Sequence, residues 1–363
     1  MATICFFNSI KFWGGGEKLQ LENAIEFKRN KHDTIIACDR NSPLQEKSEK
    51  ENIPTFHISA GNLSFLNPVK IYKLYKFYTS QKIDTVVFTA SQDLKLGSIS
   101  AKLAKVKNIV YQRGLAVPIK ASLINKFIFK SCLTHIIANS QETKRSILRH
   151  LKATINADKI KIIYHGIDFK NINNSQSTLN EIKSKGHGII LGNAGRLTAQ
   201  KGQKYLIDIA SKLKKEGIDF TLFIAGDGEK KEELEQLIKN HKLENDVILL
   251  GFVANVTAFM NSIDIFLLSS VWEGFGFVIV EAMASKKPVI AFDISSNPEI
   301  IEAGKTGFLV NYPDTDMFVA KTKQLILDSA LRNKMGEQGA KSALEKFEIK
   351  DRISEFENYL FKK

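Results

Sequence analysis

Short apolar runs of strand character alternate with helical patterns along the whole of this chain. In the first half the runs are TICFFN, DTIIAC, PTFHI, DTVVFTA, NIVYQR, HIIANS and KIIYHG. In the second they are GIILGNAG, DFTLFIAG, DVILLG, DIFLLSS, PVIAF and GFLV. Between them lie stretches with apolar residues every three or four positions, such as EKLQLENAIEFKRN and residues 66–81. Strands that are apolar on both sides need cover on both faces. Intervening helices supply that cover and the crossovers that parallel strands require. The alternation predicts an α/β fold with doubly wound parallel sheets. Ligands bind such sheets where strands end and helices begin, so the strand–helix junctions are the places to look for chemistry.

With 363 residues the chain is long for one core and comfortable for two. The polar segment DFKNINNSQSTLNEIKSKGHG (168–188) interrupts the alternation midway and reads as a linker. The expected domains are 1–170 and 171–347, followed by a helix over about 348–363 with an apolar stripe. Cys5, Cys38 and Cys132 are scattered without a CxxC pair, which argues against a disulfide framework or a zinc site and for a reducing compartment. No basic leader and no run of 18 apolar residues is found, so the expected location is cytoplasmic. Charge is uneven. Residues 1–180 hold 27 Lys and Arg against 13 Asp and Glu, while residues 181–363 hold 25 against 26. The N-terminal half is therefore expected to face something anionic, although surface lysine also serves solubility.

Two partial motifs fail. GGGEKL has Leu19 where a dinucleotide fingerprint needs Gly or Ala, and AGKTG lacks the earlier P-loop glycine, with Glu299 in its place. Four other junctions are more informative. Gly14, Gly15 and Gly16 follow the first strand and open a helix, where bare backbone N–H groups suit phosphate, though a flexible turn needs no more than this. In GRLTAQKG, Arg196 and Lys201 flank a strand–helix turn and are able to meet a diphosphate as fork and point charge. AGDGE places Gly226 and Asp227 at another strand end, where turn chemistry is an equal explanation. EGFGFVIVEA sets Glu273 before Gly274, Phe275, Gly276 and Phe277, with Glu281 one turn into an apolar helix. Glu337 and Glu345 repeat the spacing in a polar helical stretch, so context rather than spacing carries the reading. A buried Glu281 would need a partner, and a ribose diol is one.

Together these motifs resemble the glycosyltransferases of family four, which have the two-domain GT-B fold. EGFGFVIVEA is similar to the family's paired-glutamate signature, GRLTAQKG to its Arg–Lys phosphate motif, FWGGGEK to its glycine loop and IYHGID to the run before its interdomain linker. The resemblance implies two Rossmann-like domains facing a central cleft, with the last helix crossing back onto the first domain. It implies that the first domain takes the acceptor and the second a nucleotide-sugar donor, with transfer by a retaining mechanism. Arg196, Lys201 and Glu273 would be catalytic. Gly15, Gly16, Gly226, Asp227, Gly274, Phe275, Gly276, Phe277 and Glu281 would line the donor. The family often carries a histidine after a first-domain strand. Here that stretch reads NIVYQRGLAVP, and Arg113 is the candidate for an acceptor or phosphate contact, or else for a structural salt bridge. His135, His150 and His165 do not fit the place by sequence.

No Asp-x-Asp motif is present, so no metal and no cofactor beyond the donor are expected. A glycan or glycolipid acceptor is expected, of the kind used in lipopolysaccharide or other cell-surface polysaccharide synthesis. The stretch GLAVPIKASLINKFIFKSCL (114–133), apolar with Lys120, Lys126 and Lys130, fits peripheral contact with an anionic membrane at the inner face, or an ordinary core-facing helix. A sugar-nucleotide 2-epimerase of the same fold and a basic nucleic-acid-binding protein are the alternatives. No nucleic-acid motif supports the second, and no nucleic-acid partner is expected.

Overall fold

The computed structural model describes residues 1–174 and 179–361. Two compact units emerge, one formed by Met1–Gly166 with the chain from Lys350 onward and one by Ile167–Ile349.

The first unit is built on seven parallel strands: β1 (Thr3–Phe7), β2 (Asp33–Cys38), β3 (Thr55–His57), β4 (Thr85–Phe88), β5 (Asn108–Arg113), β6 (His135–Ala138) and β7 (Ile160–Ile162). Their order is β3-β2-β1-β4-β5-β6-β7, so the winding reverses at β1, which pairs with both β2 and β4. Ile4 to Phe7 and all of β4 are buried, as strands covered on both faces must be. Local signals start the helices. The Asn67 side chain accepts from the N–H groups of Val69 and Lys70 ahead of Pro68, and Ser140 caps Thr143 N–H in the same manner. The final helix, Ile349–Phe361, packs on this unit. Phe356 meets Phe27 edge to face with ring centres 5.3 Å apart, and Tyr359 OH donates to the Lys159 carbonyl at 3.2 Å.

The second unit has β8 (Ile189–Ala194), β9 (Phe220–Ala225), β10 (Val247–Gly251), β11 (Ile265–Leu268), β12 (Val289–Phe292) and β13 (Gly307–Val310), all parallel, in the order β10-β9-β8-β11-β12-β13. Here the reversal falls at β8, between β9 and β11. All thirteen strands coincide with the apolar runs of the sequence.

Two segments differ from their sequence reading. The polar stretch 168–188 carries helices at Phe169–Asn174 and Asn180–Lys185, and buries Phe169 and Ile182, so its flanks are anchored in the second unit. Residues 175–178 of that stretch lie outside the described residues. The stretch 114–133 is helical only from Leu123, and its Ile128, Phe129, Cys132 and Leu133 enter the core of the first unit. The end of its apolar side is core, while Leu115, Val117, Leu123 and Phe127 are exposed.

Candidate active site

The reversal at β8 brings three loops together at the carboxyl ends of β8, β9 and β11. Gly195 N–H donates to Ala225 carbonyl at 2.9 Å, and Leu197 N–H donates to Asp227 carbonyl at 2.9 Å. A Cβ on Gly226, whose φ is +144°, would lie 1.9 Å from Gly195 carbonyl oxygen, so only glycine fits between these loops. Asp227 is exposed, and its carboxylate accepts the next N–H, from Gly228, at 2.8 Å. Close loop packing thus accounts for Gly226, and a local bond to the next N–H for the Asp227 carboxylate.

Lys201 reaches across to the β11 loop. Its Nζ lies 2.6 Å from Glu273 Oε1, which also accepts from Ser270 Oγ at 2.6 Å. The Glu273 side chain is 6% exposed and that of Lys201 18%, so this is a nearly buried ion pair. Such a pair must be held in place to repay its desolvation. Ser269 Oγ donates to Lys201 carbonyl at 3.0 Å, and Gln200 Nε2 to Trp272 carbonyl at 3.1 Å, which ties the two loops on both sides. The aliphatic stem of Lys201 runs along Gly195, where a Cβ would stand 3.4 Å from Lys201 Cε. An ammonium has three donors. Glu273 takes one, and the others remain for a ligand. Glu273 Oε2 makes no hydrogen bond among the described residues. Arg196 is exposed beside the pair in sequence, with its carbonyl held by Gln203 Nε2 at 3.0 Å.

The helix Phe277–Ala284 follows from Gly276 without a side-chain cap. Ile279, Val280, Ala282, Met283 and Ala284 are buried, and a Cβ on Gly276 would meet Ile279 Cδ1 at 2.6 Å. Two expectations change here. Glu281 is half-buried rather than buried, which weakens the desolvation argument that singled it out. The Phe277 N–H donates to Phe275 carbonyl at 3.0 Å and is not left for a ligand. Phe275 is itself buried, edge to face with Phe277 and Phe347, so its side chain belongs to the packing. Gly274 has no regular secondary structure and is buried beside Glu273.

In the first unit, Gly15 and Gly16 open the helix Gly15–Arg29 as exposed residues. The turn is held by Asn8, whose Nδ2 donates to the buried Glu17 Oε1 at 2.9 Å, and by Asp93, which accepts from Ser9 N–H at 3.0 Å and from Ser9 Oγ. Burial pushes the Asp93 carboxyl up to about 7, against the pull of those Ser9 bonds. Arg113 is buried and faces its own unit. Nη1 donates to Tyr111 OH at 2.7 Å and Nη2 to Val117 carbonyl at 2.6 Å, so it anchors residues 114–117. No carboxylate pairs with it among the described residues.

His165 lies beside the loop that follows β5. His165 Nε2 lies 3.1 Å from Asn139 Nδ2, and a Cβ on Gly114 would stand 3.9 Å from it. His165 follows β7, while Gly114 follows β5, so only the strand order β5-β6-β7 brings them together. Complete burial pushes the imidazole down to about 3, so it is neutral. Among the described residues no group of three or more His, Cys, Asp or Glu is placed to hold a metal, and no helix is long and apolar enough to cross a membrane.

Two family profiles match the chain, glycosyltransferase family 4 over residues 13–171 and glycosyl transferases group 1 over residues 175–342. An uncharacterized glycosyltransferase of Methanocaldococcus jannaschii is 31% identical over 283 residues, covering 71% of this chain and 68% of that protein. The chain belongs to glycosyltransferase family four. This glycosyltransferase is also similar to the UDP-Gal:α-D-GlcNAc-diphosphoundecaprenol α-1,3-galactosyltransferase of Escherichia coli, 24% identical over 362 residues that cover 95% of this chain and 92% of the relative. Its fold matches a crystal structure of Anabaena HepE in complex with UDP and glucose, with a TM-score of 0.85, 22% identity and all of both chains covered. The glycosyltransferase thus has the GT-B fold, two parallel-sheet α/β domains.

Proposed function

We propose that this glycosyltransferase moves a sugar, with retention at the anomeric carbon, from a nucleoside-diphosphate sugar to a glycan or glycolipid acceptor of lipopolysaccharide or another surface polysaccharide. The observation that carries the reading is the nearly buried Lys201–Glu273 pair at the winding reversal of the second unit. Breaking the sugar–phosphate bond builds negative charge on the leaving diphosphate. The free donors of Lys201, with the exposed guanidinium of Arg196, are the cations that offset it. Removing one pre-placed donor of this kind costs about 3 kcal/mol of transition-state stabilisation, roughly a hundredfold in kcat. Glu273 Oε2 is the acceptor available to a sugar hydroxyl, and the half-buried Glu281 is the carboxylate assigned to a ribose. Gly15 and Gly16 leave backbone bare for an anionic group at a helix start. The leaving phosphate oxygen takes the proton of the acceptor hydroxyl. No metal or further cofactor takes part. The E. coli relative is named for transfer to a lipid-linked diphosphate sugar, which supports an acceptor of that class.

The test is a thermal-shift panel of UDP, GDP, ADP and CMP with their sugar conjugates, run in EDTA. A single nucleoside diphosphate is expected to raise the melting point. Lys201→Ala is expected to lose most of that shift, and about a hundredfold in turnover with the sugar it identifies. No shift with any nucleotide would overturn the donor reading, and an absolute need for Mg²⁺ the metal-free one. An inverted anomer in the first-formed product, read by NMR, would overturn retention.

A further inference from the structure

The 90 residues from Asn52 to Gln141 contain twelve Lys and Arg and only two acids, Asp84 and the buried Asp93. Besides four strands of the sheet, this stretch holds the helices Pro68–Ser80, Ser91–Leu103 and Leu123–Phe127, of which the first two pack together. On it, Leu63, Leu66, Val69, Tyr72 and Tyr75 recur every third residue, and all five are exposed. The first four are between 59% and 72% exposed, far more than a soluble helix leaves for side chains of this size. Lys70, Lys73 and Lys76 form a second three-residue row beside them. Lys70 Nζ caps Ser59 carbonyl at 2.8 Å and Lys73 Nζ caps His57 carbonyl at 2.9 Å, which holds the ammonium groups in place without neutralising them. The surface continues sideways. Lys95 lies over the Phe65 ring and Lys102 over the Phe127 ring, next to the exposed Leu103 and Leu123.

We infer that this face, with the Leu63–Tyr75 row at its centre, docks on an anionic lipid bilayer. Large apolar side chains bordered by lysines, with tyrosines among them, match the boundary between acyl chains and charged headgroups. Lysines near such a surface add to the attraction one by one. A nucleic acid would meet the lysines but leave Leu63, Leu66 and Val69 in water, and a protein partner does not call for a face without acids. The inference rests on the glycolipid-acceptor reading, because such an acceptor lies in a membrane.

The experiment is sedimentation of the full chain with vesicles of phosphatidylcholine alone or with one third phosphatidylglycerol, at low and high salt. Leu66→Ser/Val69→Ser/Tyr72→Ser and Lys76→Glu variants are compared with the parent. Parent protein is expected to pellet with the anionic vesicles only, with both variants weaker by about tenfold or more. Melting temperature and nucleotide binding, read in solution, are expected to stay unchanged in both. Equal binding by the triple variant, or equal binding to neutral vesicles, would overturn the inference. So would loss of binding to vesicles by competing RNA at one charge equivalent. Nucleotide binding without vesicle binding sinks the docking face and leaves the transferase reading standing. Vesicle binding without nucleotide binding does the reverse.

Discussion

Lys201 and Glu273 are 72 residues apart and meet because β8 and β11 are neighbours at the point where the winding reverses. Each is singled out by its own motif, but nothing in either stretch of chain shows that the two pair. What sets the pair apart is that the two are placed together in a nearly dry spot, where a charge counts for more. Asp93 and His165 are the buried titratable groups of the first unit with the largest consequences for pH. Burial raises the Asp93 carboxyl to about 7, so its stabilising contribution is present near pH 4 and is lost as pH rises through 7. His165 works in the opposite sense. Its imidazole is held down to about 3, so its contribution is present above pH 6.5 and is lost as pH falls toward 3. The two slopes oppose each other between pH 4 and 6.5. Asp93→Asn removes one of them. The variant is expected to gain on the parent by about 1.4 kcal/mol per pH unit between pH 4 and 7, measured as the difference in unfolding free energy. A difference that does not change with pH would mean that Asp93 is already ionised throughout this range.

Among the elements, the helix Phe277–Ala284 was legible as an apolar helix behind two glycines, because FVIVEAMA leaves little polar surface for water. What it does with Glu281 was not legible, since half-burial depends on the neighbours that pack on one side of the helix. The last helix teaches the converse. Its stripe is visible in sequence, but its partner is Phe27, near the other end of the chain. Phe356 is buried there, and Phe356→Ala is expected to destabilise the first unit by about 3–5 kcal/mol, read in urea melts. A loss under 1 kcal/mol would show that the helix is only loosely attached.

For the whole molecule, two units with separate cores and separate sheets predict two linked unfolding events rather than one. A nucleoside diphosphate at a hundred times its dissociation constant is expected to stabilise the second unit by about 2.7 kcal/mol. In calorimetry the transition that moves with nucleotide should be the one left in place by Phe356→Ala. Movement of both together would show that the units unfold as one.

All thirteen strands, the α/β class and the family were written in the chain order, because local apolar runs and glycine-bearing turns act within a few residues of themselves. Gly226 and Gly276 were marked for the same reason, although the fold assigns them to loop and helix packing. Which side chains meet was a matter for the tertiary structure alone. Strand order joined Lys201 to Glu273 and His165 to Gly114, and turned Arg113 inward onto Tyr111 and Val117. It also sank Ile128, Phe129, Cys132 and Leu133 into the core and left the Leu63–Tyr75 row in solvent, a choice that periodicity alone does not make. The physical reason is range. Periodicity records which residues seek cover, while the cover itself comes from strands and helices distant in sequence.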